Sequence, residues 1–296
     1  MNLSQSTLSK GIRELELQIG ADVFERNQSP VALTDFGRVF MQQAEELLYQ
    51  AEQLERLSLV SKAQEQVFLR VGFGPYAFAA LAPLVVPAFA AAHPAVQLQI
   101  DCINPSRGPE LLRSQVTDLV IAESTVLDQE SIMAELAPMP GCVFLRKKHP
   151  LFTRPKLSMS DITNCKSVQV TMLPPRVLKA VLLSTAPKTK SSGQSPAGTI
   201  NTSSADLALD LVQATDAYTF STLDLAKPRL EQGLLRPALQ EPWMHAKWSI
   251  AAAPDRAPSK VLLAFCALVK TAHGQLLQEE KLLSKKWPMH TATVSS

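Results

Sequence analysis

The sequence predicts a mixed α/β protein in two parts: a helix, a small hairpin and a long helix first, then a larger α/β unit of two lobes. Three observations predict it. Apolar residues near the start recur at helical spacing and stop at a glycine; strand-like and helix-like segments alternate from Val67 onward; and a late strand and helix return to complete the first group of strands. The 296 residues suffice for two or three cores, and 46% hydrophobic with 19% charged residues excludes collagenous and wholly disordered chains.

Residues 3–19 form the first expected helix. Ser4 is placed to cap it, Leu8, Ile12, Leu15 and Ile19 make an apolar stripe, and Gly20 supplies the stop. The opposite face carries Gln5, Ser6, Thr7, Ser9, Lys10 and Arg13, with no acid before Glu14. Short hydrogen-bonding side chains beside two cations suit base edges and phosphates; they suit a solvated helix face equally well. Val23–Arg26 and Val31–Thr34 read as two short strands around a polar turn. Thr34 or Asp35 then caps a long helix whose Phe40, Ala44, Leu47, Ala51 and Leu54 make a short heptad seam. That seam serves either to pair two copies of the chain or to pack on its own hairpin.

The stretch LSQSTLSKGIRELELQIGADVFERNQSPVALTDFG, residues 3–37, resembles the recognition helix, wing and linker-helix start of the LysR-type transcriptional regulators. The family pattern SQxxLSxxIxxLExxxGxxLFxRxxxxxxLTxxG is matched almost throughout, with Val23 for the usual Leu and Phe36 where small or charged residues are frequent. The resemblance implies double-stranded promoter DNA as a partner. Gln5, Ser6, Thr7 and Ser9 would read bases, while Lys10, Arg13 and the wing's Arg26 would hold phosphates. The family places roughly 25 to 30 further residues, with the first helix and most of the second, ahead of this motif. A partial winged helix-turn-helix is therefore expected, with Leu8, Ile12 and Leu15 losing much of their cover.

Beyond a hinge at residues 58–66, strand Val67–Phe73 leads to a helix ending near His93, strand Val96–Ile103 to a helix around Glu110–Val116, and then to strand Asp118–Ala122. Pro83 fits a first helical turn, whereas Pro87 should kink or delay its helix. Strand Cys142–Arg146 opens the second set: strand Lys166–Thr171, a helix near Arg176–Ser184, strand Thr199–Thr202, a helix from Ser204, strand Tyr218–Ser221 and a helix near Leu223–Glu231. Strand Lys247–Ala253 and helix Ser259–Ala272 return to the first lobe, and a double crossover of this kind makes a hinged cleft. Residues 187–198 read as a flexible loop, and the tail after about residue 276 as poorly ordered.

From the LRVG strand through HPxVxLxI, DLxIA and HPL, this region is similar to the LysR effector-binding domain, a two-lobed fold like that of periplasmic binding proteins. The domains expected are 1–34 (partial winged helix-turn-helix), 35–65 (linker and dimerisation helix), 66–275 (effector binding) and 276–296 (tail). Within the third, lobe I takes 66–141 and 240–275 and lobe II takes 142–239. Helix starts facing strand ends offer free N–H groups to a small-molecule effector. The residues singled out there are Tyr76, Ser106, Thr171, Thr202, Ser203 and Phe220. Thr202 and Ser203 serve equally as plain helix caps, and Tyr76 and Phe220 as packing aromatics. Gly74-Pro75-Tyr76 stands where the family often has Ser or Thr, and Ala214-Thr215-Asp216-Ala217 replaces a glycine-containing segment.

Catalytic signatures are absent: there is no GxSxG elbow, Walker-type loop or HExxH, and the five histidines assemble no nucleophile, base and orienter. The VGFG stretch lacks the third glycine of a dinucleotide fingerprint, and the four scattered cysteines form no CxxC, so neither cofactor nor metal is expected. No apolar run of roughly 18 residues and no secretory signal are read, which predicts a cytoplasmic protein without a membrane partner. A net charge of +2 leaves any DNA binding to local pattern. The expectation is a homo-oligomeric regulator acting by binding, not catalysis. The alternative is an effector-binding and dimerisation module that does not touch DNA.

Overall fold

The computed structural model describes residues 5–25, 32–41, 43–44, 47–48, 67–154, 156–170 and 198–288. They fall into two compact units, residues 1–66 and 67–296.

In the first unit, α1 (Gln5–Ile19) ends at Gly20, whose φ of +73° is the left-handed turn that glycine adopts without steric cost. Strands β1 (Phe24–Glu25) and β2 (Ala32–Leu33) pair antiparallel, Phe24 opposite Leu33. Residues 35–41 are helical, and Thr34 caps them: its Oγ1 accepts from Gly37 N at 2.8 Å. Of the expected seam, Phe40 and Ala44 are half-buried and Leu47 is exposed, while Ala51 and Leu54 lie outside the described residues.

The second unit is built around two sheets. In the first, β3 (Val67–Phe73) lies parallel between β4 (Val96–Cys102) and β5 (Leu119–Glu123). The sheet continues antiparallel through β14 (Trp248–Ala251) to β6 (Ile132–Glu135). Alternate residues of β5 bury on opposite faces: Leu119 and Ile121 join Phe73, Phe89 and Phe265, whereas Val120 and Ala122 join Leu112 and Leu127. Arg70 and Asp118 tie β3 to β5 with two guanidinium hydrogen bonds, of 2.9 and 3.1 Å.

The first face is covered by α2 (Pro75–Ala92) and α7 (Lys260–Lys286). Two expectations are corrected here. Pro75–Ala92 is an uncharged run of 18 residues, so helices long and apolar enough to cross a membrane do exist, α2 and α7 both passing by length and composition. One face of α2, with Ala77, Leu81, Val85 and Phe89, is packed in the core. Nor do the prolines break it: Pro83 and Pro87 lie one turn apart on the exposed side of the helix, which continues through both to Ala92.

In the second lobe β8 (Cys142–Arg146) pairs antiparallel with β11 (Thr219–Ser221) and β12 (Leu235–Leu239). Strand β9 (Ser167–Val170) pairs parallel with β10 (Thr199–Thr202), and an isolated parallel bridge joins its Ser167 to Tyr218, the residue before β11. Cys142 and Phe144 bury against α5 (Ala205–Ala214) and α6 (Leu223–Glu231); Val143 and Leu145 bury on the other face with Met159, Ile162 and Tyr218. His149 is a buried cap: Nδ1 accepts from Leu151 N at 3.1 Å, so Nε2 donates to the Asp216 carbonyl at 3.1 Å. The helix expected near residues 176–184 and the loop at 187–198 fall almost wholly outside the described residues.

The C-terminal end corrects another expectation. Instead of stopping at Ala272 before a loose tail, α7 continues to Lys286, because Leu276, Glu280 and Leu283 bury in helical register. Phe265 to Leu276 pack in the first lobe and Leu283 in the second, so one helix is shared by both cores.

Candidate functional site

Two regions carry chemistry, one in each unit. On α1, Thr7, Ser9, Lys10 and Arg13 are exposed, and the spacing of Ser9, Lys10 and Arg13 places them on one helix face. Gln5 and Ser6 lie on the same helix, though their side chains are outside the described residues, as are Arg26 and Thr171 altogether. Sequence reading missed the residue that holds this unit together. Glu16 is 6% exposed, and its Oε1 accepts from Val23 N at 2.9 Å and Phe24 N at 3.1 Å, seating the hairpin on the helix. Glu16→Ala strands two N–H donors and should cost about 2–3 kcal/mol in urea unfolding, with Glu16→Gln recovering part of it.

In the second unit a cavity of about 780 Å³ opens between the two lobes, within the size range of small-molecule sites. It lies at the carboxyl ends of β3, β4 and β5 on one side and of β9, β10 and β11 on the other, where α2, α5 and α6 begin. Tyr76, Ser106, Thr202, Ser203 and Phe220 all line it. Tyr76 also spans it: its hydroxyl donates to the Phe220 carbonyl at 2.7 Å, joining α2 of the first lobe to β11 of the second. Burial holds the Tyr76 phenol protonated, well above its ordinary range. Thr202 accepts from Ser204 N, and Ser204 caps α5 by accepting from Leu207 N, so Thr202 is part of a capping turn. Trp243 and Trp248, unremarked in the sequence, also wall the cavity. Among the described residues no group of three metal-ligating side chains is found.

Behind this wall the lobes share a carboxylate. Glu280 of α7 is 2% exposed, and its two oxygens accept from Leu223 N and Asp224 N, both at 3.1 Å, at the start of α6. Burial raises its pKa from 4.5 to about 7, against the lowering effect of the two N–H donors. The folded chain therefore holds this proton where the unfolded chain releases it. Stability from this group is present below about pH 4.5 and is lost as pH rises through about 7. The loss should be on the order of 3 kcal/mol, and Glu280→Gln should flatten that part of the pH profile of urea unfolding.

The family description "Bacterial regulatory helix-turn-helix protein, lysR family" matches residues 1–38, and "LysR substrate binding domain" matches residues 62–274. The SDS degradation transcriptional activation protein of Pseudomonas sp. (strain ATCC 19151) is 30% identical over 241 residues, which cover 79% of this chain and 76% of that one. The Hca operon transcriptional activator HcaR of Escherichia coli (strain K12) is 30% identical over 162 residues, about half the length of each. Among solved structures, a single-residue variant of full-length OxyR from Pseudomonas aeruginosa shares the fold with a TM-score of 0.56 at 20% identity, covering 92% of this chain and 90% of that one.

Proposed function

The chain belongs to the LysR family of bacterial transcriptional regulators, and we propose that it reads promoter DNA through α1 and the hairpin while an effector in the inter-lobe cavity sets its activity. The observation that carries this reading is the cavity itself, walled by both lobes and spanned by Tyr76, in a chain whose residues 1–38 match the family's helix-turn-helix description. An effector that prefers one lobe arrangement shifts the population toward it, and its differential affinity bounds the size of the response. Gln5, Ser6, Thr7 and Ser9 face base edges; Lys10, Arg13 and Arg26 face phosphates. The effector meets Tyr76, Ser106, Thr171, Thr202, Ser203 and Phe220. The protein works as a homo-oligomer in the cytoplasm by binding, without turnover.

The test is a salt series of DNA-binding isotherms on sequences the full chain selects from a random pool. Arg13→Ala should weaken binding to every sequence and lower the log–log salt slope by about one. A changed base preference with an unchanged slope would contradict the phosphate assignment.

A further inference from the structure

The chemistry of the cavity wall bears on which class of effector it takes, an argument that rests on reading the cavity as the effector site. Its larger surfaces are hydrocarbon and ring: Tyr76, Phe220, Trp243 and Trp248, with Ile103 and Val126 between them. Phe220 and Trp243 already stand edge to face, centroids 5.8 Å apart, leaving a rigid aromatic side to the space.

Fixed charge on the wall is sparse. Among the described lining residues there is no lysine or arginine; Glu123 is the acidic one and His245 the one imidazole. An anion would ordinarily be met by free N–H groups at a helix start. Of the three helix starts at the cavity, α6 has the N–H groups of Leu223 and Asp224 donating to Glu280, α5 has those of Ser204 and Leu207 donating to the Thr202 and Ser204 side chains, and α2 begins at Pro75, which has no N–H, after Gly74, whose N–H donates to the Ile121 carbonyl. Glu123 in turn accepts from Lys247 N at 3.3 Å.

Two hydroxyls of the wall lack a hydrogen-bond partner among the described residues, Ser221 Oγ and Thr222 Oγ1; both are buried behind the lining surface, Ser221 being the more exposed residue at 6% against 3%. A buried hydroxyl without a partner is costly, and a ligand group that bonds it recovers the cost.

We propose that the cavity takes an uncharged, mostly apolar ligand, an aromatic or compact hydrocarbon body bearing one hydroxyl or amide group that bonds Ser221 Oγ. A carboxylate of the same shape would enter beside Glu123 with no lysine or arginine on the described wall to meet it.

The test uses the full chain and four probes of one shape: phenylbutanol, phenylbutyrate, phenylbutylamine and butylbenzene. Two of the three tryptophans line the cavity, so fluorescence titration reports its occupancy. Phenylbutanol should bind at least about tenfold tighter than the carboxylate or the amine. Ser221→Ala should weaken phenylbutanol by about tenfold and leave butylbenzene unchanged, which a merely destabilised fold would not do. The carboxylate or the amine binding as tightly as the alcohol overturns the proposal, as does an alcohol with no saturable binding up to its solubility limit, or equal losses of alcohol and butylbenzene in Ser221→Ala. Ser203→Trp, which projects an indole into the same space, separates the two levels. Binding that it abolishes leaves the cavity as the effector site whatever probe prevails, whereas binding that it leaves intact removes that reading as well.

Discussion

Gly37→Ala is expected to abolish DNA binding while leaving the second unit folded. A Cβ at this position would lie 2.0 Å from the Val23 carbonyl oxygen and 3.1 Å from Thr34 Oγ1, and the first of these neighbours is backbone. The same carbonyl accepts from Thr34 N at 3.0 Å, and Gly37 N donates to Thr34 Oγ1. Hairpin and following helix are therefore closed on each other at one point, and a methyl group must force them apart. The cost should be about 3 kcal/mol or more, a large fraction of what a unit of this size has. Urea unfolding followed by far-ultraviolet dichroism should lose the first unit's share of the signal and keep the second unit's transition. Gly37→Ala binding DNA with unchanged affinity would contradict this closure.

Ser203→Trp should lower effector affinity by roughly a hundredfold or more, because an indole fills much of the space the ligand needs. Ser203 is exposed at the cavity rim, so the larger side chain has room to enter without displacing the core. Ligands that raise the melting temperature of the parent chain should leave the variant's melting temperature unmoved. An undiminished shift would move the effector site elsewhere.

The sequence made some of this legible for physical reasons. Strands β3, β8 and β10 have the bounds the sequence indicated; in β8 burial on both faces leaves an uninterrupted apolar signal, whereas β10, Thr199–Thr202, is polar and alternates between exposed and half-buried positions. β12 was missed because Pro237 reads as a strand breaker; it is tolerated at an outer strand whose register shifts between Pro237 and Leu239. Five residues singled out for the effector do line one cavity, because helix starts at strand ends converge in a sheet of this topology. Trp243, Trp248 and Ser221 were not singled out: their meeting depends on chain segments far apart in sequence. Glu16 and Glu280 act across 7 and 57 residues; Glu16 stands at the Glu of the LExxxG segment of the family pattern, but its bonds to Val23 and Phe24 are not visible in that pattern. A signal for Glu280 was nevertheless present, a carboxylate within the apolar stripe of Leu276 and Leu283.

The most direct test of the whole account couples the two units in one titration. DNA-binding anisotropy of the full chain is followed on its selected sequence as a ligand that stabilises it is added, with Ser203→Trp run in parallel. The account predicts that the ligand changes the DNA affinity of the parent chain by about 5- to 150-fold and that of Ser203→Trp not at all. A DNA affinity indifferent to the ligand in both proteins, or equally shifted in both, would contradict it.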